Sequence, residues 1–130
     1  MSSQRSLEIE LPPYVTPRNA WRQQVHAAAA AVLAARGAMY GATDRLAVDV
    51  HLYMTRGMLR FHDIDNRLKD VLDALQGRVG GTKSKKGKLP ALVPNDRQIF
   101  QATVRKSEAP SGSRSGGRLT IRRLDDAGAV

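Results

Sequence analysis

The run Asp63–Gly77 constrains the chain more than any other stretch. Leu68, Val71, Leu72 and Leu75 fall at i, i+3, i+4 and i+7, the apolar stripe of a helix packed on one side. Gly77 stands where such a helix ends, because glycine takes the left-handed closing conformation without steric cost. Asp65 or Asn66 suits the N-cap, where a short side-chain oxygen accepts from the free N–H groups of the first turn. Asp63 and Asp65 then lie in extended chain, where side chains two apart share a side. Lys69, one turn beyond Asp65, reaches the same place. The stretch predicts two carboxylates and an ammonium converging at the start of a packed helix. Taken alone, the same residues also suit a helix cap and a surface ion pair of small energetic weight.

The elements around it follow from alternation and punctuation. Residues 6–11 alternate polar and apolar and predict a half-buried strand, ended by Pro12 and Pro13. Thr16 and Pro17 look like an N-cap and a first helical residue. Trp21, Val25, Ala28, Ala29, Val32 and Leu33 give that helix, about 17–36, its apolar face. Residues 46–54 alternate again, with Val48, Val50, Leu52 and Met54 facing one way and Asp49, His51 and Tyr53 the other. Asp63 and Asp65 thus fall between a strand and a helix, where sites in α/β sheets gather. Residues 98–106 read as a strand with Phe100, Ala102 and Val104 on one side, and 118–124 as a last strand. The segments about 78–95, 109–117 and 125–130 read as flexible. The order β-α-β-α-β-β predicts one two-layer α/β (α+β) domain over 1–130, with a mixed four-stranded sheet and two main helices.

Charge narrows the partner. The 130 residues carry a formal net charge of +9, and a phosphate backbone rewards clustered Lys and Arg through counterion release. A ribosome-like or membrane-surface role would show the same charge. No run is long and apolar enough for a transmembrane helix, and no signal peptide is evident. The absence of cysteine excludes disulfides and thiolate metal sites and fits a cytoplasmic protein.

Asp63, Asp65 and Asp96 stand at strand or turn ends, and oxygen donors of this kind suit Mg²⁺, with Mn²⁺ able to substitute. Asp96 also suits a plain turn after Pro94 and Asn95. His26, His51 and His62 show no zinc spacing, and only His62, beside Asp63, is placed to touch the site. Carboxylates concentrated in a basic chain would repel a nucleic acid. A metal offsets that repulsion, activates water and stabilises charge on phosphorus.

Four segments together resemble the RusA family of Holliday junction resolvases. They are Asp63-Ile64-Asp65-Asn66-Arg67-Leu68-Lys69 with Asp73-Ala74-Leu75, then Asn95-Asp96-Arg97-Gln98-Ile99, then Gly116-Gly117-Arg118-Leu119-Thr120-Ile121. The early Leu11-Pro12-Pro13 with its aromatic-bearing helix also looks like that family. The similarity runs in the same order from about residue 7 to 124. Two features depart from the pattern: Asn95 stands where the family often has a second acidic residue, and the connection before Asp96 is longer and more basic.

The resemblance implies a homodimeric, Mg²⁺-dependent crossover junction endodeoxyribonuclease that makes paired symmetric cuts in four-way junction DNA, in recombination and repair. It implies Asp63, Asp65, Asp96 and Lys69 as catalytic residues, the three aspartates holding metal. Arg60, Arg67, Arg78, Lys83, Lys85, Lys86, Lys88 and Arg97 are the cations expected to hold the DNA arms. The competing readings are a non-catalytic DNA-binding module of the same fold and a basic RNA-binding protein whose aspartates only cap helices.

Overall fold

The computed structural model describes residues 6–80 and 88–124. Its elements are β1 (Ser6–Leu11), α1 (Arg18–Arg36), β2 (Leu46–Met54), α2 (Arg56–Leu59), α3 (Ile64–Leu75), a 3-10 turn (Asp96–Gln98), β3 (Ile99–Glu108) and β4 (Gly117–Arg123). The expected order of strands and main helices is present, and α2 is an addition. Thr55 starts α2 by accepting from the Met58 N–H. One helix start differs from expectation: Pro17, not Thr16, holds the N-cap position of α1, with extended backbone.

The sheet order is β1-β4-β2-β3. β4 runs antiparallel to both neighbours, and β2 and β3 run parallel, so the sheet is mixed. The β2-to-β3 connection carries α3 back along the sheet, as parallel strands require. α1 and α3 pack on one face. Trp21, Val25, Ala29 and Leu33 from α1 meet Val71, Ala74 and Leu75 from α3 over Ile9, Leu11, Val48, Val50, Leu52, Leu119 and Ile121. The opposite face carries Glu8, Asp49, His51 and Arg118, partly or fully exposed.

The alternation expected for β3 slips at its start. Ile99 pairs with Leu46 and Gln101 with Ala47, leaving Phe100 as the extra residue of a bulge. Phe100 is turned outward beneath the Arg45 guanidinium, while Ile99 and Val104 pack against the core.

The expected flexible segments are tied at their described ends. Arg78 pairs with Lys88 across an antiparallel bridge. The Leu89 N–H donates to Gly77 O at 2.8 Å, and Leu92 and Val93 both donate to Leu75 O. Gly77 has φ 81°, and a Cβ there would lie 2.0 Å from Leu89 O, so the return strand can pass only over a glycine. Ala109 N–H donates to Met54 O, and Gly116 N–H to Leu11 O. Residues 81–87 and 125–130 lie outside the described residues, and with them Lys83, Lys85 and Lys86. Among the described residues no helix is long and apolar enough to cross a membrane.

Candidate functional site

α3 begins two or three residues earlier than an N-cap at Asp65 or Asn66 predicts. Asp63 is the N-cap, and Asp65 lies within the first turn. The extended-chain argument that put both carboxylates on one side therefore does not apply, since two residues of helix turn about 200°. Both side chains are exposed. Asp63 does not cap: its side chain accepts no hydrogen bond from the helix. Among the described residues neither carboxylate has a hydrogen-bond or ion-pair partner, and neither has the exposed Lys69 ammonium one turn on.

Asp96 is elsewhere. β3 runs parallel to β2 with Ile99 beside Leu46, so Asp96 sits where β2 starts, while Asp63 follows where β2 ends. Leu92 and Val93, bound to Leu75 O, tie the same segment to the last turn of α3. The 12 residues of α3 span about 18 Å. Within one chain Asp63 and Asp65 are thus neighbours and Asp96 stands at the far end of the helix. No group of three His, Cys, Asp or Glu residues able to hold a metal forms among the described residues.

The Asn95–Gln98 motif has a structural task of its own. Asn95 accepts from the Arg97 N–H, and Gln98 Oε1 accepts from the Asn95 N–H, a reciprocal capping box. The buried Gln98 Nε2 donates to Gly41 O at 2.7 Å and Asp44 O at 2.8 Å. The motif pins the loop before β2 and leaves Asp96 and Arg97 exposed.

The other three motif segments do converge, at the opposite end. Gly116 packs on Pro12, where a Cβ would lie 2.0 Å from Pro12 O. Trp21 Nε1 donates to the same carbonyl at 2.9 Å. Trp21 touches Tyr14, whose ring meets His62 edge-on at 4.7 Å and carries the Arg67 guanidinium 4.3 Å above it. The Leu-Pro-Pro segment, the aromatic helix and the Gly-Gly pair therefore build the wall behind the first turn of α3.

Behind that wall lies a cluster that periodicity did not reveal. Asp70 is fully buried; its Oδ1 accepts from Arg18 Nη2 at 2.8 Å and Arg22 Nε at 2.9 Å, and Arg67 Nε lies 3.1 Å from Oδ2 as an ion pair. Arg22 also pairs with Asp73 at 3.2 Å. A buried carboxylate needs such partners to remain charged. Arg67 is consequently not a DNA contact: only 7% exposed, it is held by Asp70, Tyr14 and His62. Its Nη1 donates to His62 Nδ1 at 3.0 Å. Because a guanidinium can only donate, Nδ1 accepts in this contact, and burial, then the charges of Arg67 and Lys106, push the His62 pKa below its ordinary value. The available signal was Arg67 and Asp70 at i, i+3 in line with Val71 and Ala74, opposite charges opening an apolar stripe.

Lys106 is a second residue that the sequence did not single out. It lies on the core side of β3, beside Leu52. Its ammonium donates to Leu59 O at 2.5 Å and His62 O at 2.6 Å, clamping the turn that leads into Asp63. Of the expected DNA-binding cations, Arg60, Arg78, Lys88 and Arg97 are exposed. No protein-family model matches the chain, and no curated protein matches it.

Proposed function

We propose that the chain is a Mg²⁺-dependent endonuclease of RusA type, acting as a homodimer in the cytoplasm on four-way DNA junctions. One observation carries this reading: Asp63, Asp65 and Lys69 are exposed and partnerless, among the described residues, at a helix start that no side chain caps. Uncapped N–H groups at a helix N-terminus favour a phosphate. Carboxylates held beside a phosphate site in a chain of charge +9 make sense if they hold a cation. Mg²⁺ is commonly bound by one or two carboxylates, water and substrate phosphate; Asp65 in the first turn of α3, or Asp63 at its N-cap, would supply one such carboxylate. When bound, that ion supplies Lewis acidity to the phosphoryl group and the attacking water.

The chain's own residues do the rest. The first-turn N–H groups of α3 orient the scissile phosphate. Lys69 places positive charge where the phosphoryl oxygens gain negative charge. Arg60, Arg78, Lys88 and Arg97 hold the arms through the backbone. The Asp70 cluster and the Tyr14 stack fix the axis of α3 and so the aim of its first turn. Two copies related by a two-fold axis match the symmetry of a junction cut on two strands.

The separation of Asp96 from the other two aspartates favours a second reading, a nucleic-acid-binding protein of the same fold that does not cut. A gel assay on a synthetic four-way junction, with Mg²⁺ and with EDTA, decides between them. Paired cuts only with Mg²⁺ support the nuclease. Tight binding without cutting, to junction DNA or to RNA, supports the second reading, and binding to neither overturns both.

A further inference from the structure

Phe61 is 84% exposed, two residues before Asp63. The turn that carries it is fixed from both sides. Phe61 N–H and His62 N–H both donate to Met58 O, at 3.1 and 3.2 Å. Lys106 grips Leu59 O and His62 O, the carbonyls flanking Arg60 and Phe61. Met58 and Leu59 of the same turn pack against the core, so apolar residues here have a place to go and Phe61 does not take it. A clamped backbone with an outward ring is a preorganised aromatic platform. Arg60 beside it is exposed, so the platform faces a partner of negative charge with flat apolar surface.

We propose that Phe61 stacks on an unstacked nucleobase of the strand whose phosphate lies against the first turn of α3, with Arg60 on the adjoining phosphate. This rests on the nucleic-acid reading above and adds to it a residue that selects for distorted over continuous duplex. Base–aromatic stacking needs a base out of the helical stack and is insensitive to which base it is. At a four-way junction the point of strand exchange offers such bases; linear duplex does not.

The test compares wild type, Phe61→Ala and Phe61→Trp on a synthetic four-way junction and a linear duplex of the same arm sequence, in calcium without Mg²⁺. Phe61→Ala is expected to weaken junction binding about ten- to hundredfold and duplex binding by less than about twofold. The slope of log K against log salt stays unchanged, because stacking releases no counterions. Phe61→Trp is expected to keep junction affinity, and its added emission to be quenched by junction. Equal weakening on both DNAs, junction binding by Phe61→Ala within about twofold of wild type, or an unquenched Trp overturns the assignment while leaving the nuclease reading standing. So does a change of sedimentation from dimer to monomer in Phe61→Ala, which makes the ring a contact between copies. Failure of wild type to bind either DNA overturns both.

Discussion

Arg22 Nε lies 2.9 Å from Asp70 Oδ1, and the Asp70 side chain has no exposed surface. Arg18 and Arg67 share the same carboxylate. Removing it leaves the Arg67 side chain, only 8% exposed, without its counter-ion, and the Arg22 side chain, 13% exposed, with Asp73 alone. Asp70→Ala is therefore expected to cost about 3–5 kcal/mol. Glu8→Gln, which breaks a pair to Arg118 at 3.7 Å with both side chains about 60% exposed, is expected to cost less than about 0.5 kcal/mol. Urea melts of both variants measure the difference, and equal effects would show that the cluster is not a closed unit.

Gly117 has φ 135°, and a Cβ there would lie 2.1 Å from His51 O. It begins β4 where that strand enters between β1 and β2, so backbone strain and collision add. Gly117→Ala is expected to destabilise by several kcal/mol or to prevent folding. Gly57 lies in α2 with open space around its Cβ position, and Gly57→Ala is expected to be neutral or stabilising by up to about 1 kcal/mol. Thermal melting of the two variants separates a required glycine from an incidental one.

The fold was legible where one face of an element meets the core. β1 alternates strictly, β2 alternates from Val48 onward, and α1 shows its apolar face over nearly four turns, so their boundaries fell within a residue or two of the structure. The stripe of α3 was legible and its centre was not. Leu68 and Leu72 lie at its margin, and Arg67, Asp70, Val71, Ala74 and Leu75 at its centre, because a charge neutralised by other elements packs like an apolar group. The partners, Arg18 and Arg22, are remote in sequence and carry no local sign of the pairing. The same limit applies to the candidate site. Asp63, Asp65 and Lys69 are close in sequence and stay close in space, whereas Asp96 depended on how β3 pairs. Parallel pairing with β2 takes it to the far end, and nothing in a one-dimensional pattern of aspartates encodes that choice.

Tyr40 is buried, and burial pushes its phenol pKa from 10.0 up to about 12, against the opposing pull of Arg123. A group whose folded pKa is raised contributes stability that is complete below the unfolded value and lost as pH rises through the folded one. The chain is expected to lose up to about 3 kcal/mol between pH 10 and 12 on this account. Tyr40→Phe removes that part of the alkaline loss while keeping the ring under Arg123. Urea melts at pH 9, 11 and 12 check it, and an unchanged alkaline slope in the variant would assign the loss to another group.

Lys106→Met keeps the aliphatic stem against the core and removes the donor to Leu59 O and His62 O. Those carbonyls remain able to find water, so the stability cost is expected to stay near 1–2 kcal/mol. The turn before Asp63 should exchange its amide hydrogens faster, and junction cleavage in Mg²⁺ should fall more than junction binding. Exchange rates of Phe61 and His62 equal to wild type would show that the clamp is idle.

Asp65→Asn is expected to abolish cleavage, by on the order of a hundredfold or more, while junction binding in calcium or EDTA is kept or strengthened a few-fold. The carboxylate serves cutting by holding the cation and opposes binding by repelling the phosphate beside it, so one substitution moves the two readouts apart. Folding survives, because the side chain is exposed and has no partner among the described residues to lose. Asp63→Asn should behave the same way, since asparagine also serves at an N-cap. Asp96→Asn is the discriminating variant. If one chain supplies the whole site, Asp96 is about a helix length away, and its loss leaves cleavage near wild type. If Asp96→Asn is as inactive as Asp65→Asn, the carboxylates meet between two copies. A mixed dimer of Asp65→Asn and Asp96→Asn then regains cutting at one of its two sites, because one of them combines an intact Asp65 with an intact Asp96. Cleavage by Asp65→Asn at wild-type rate would remove that residue from the site altogether.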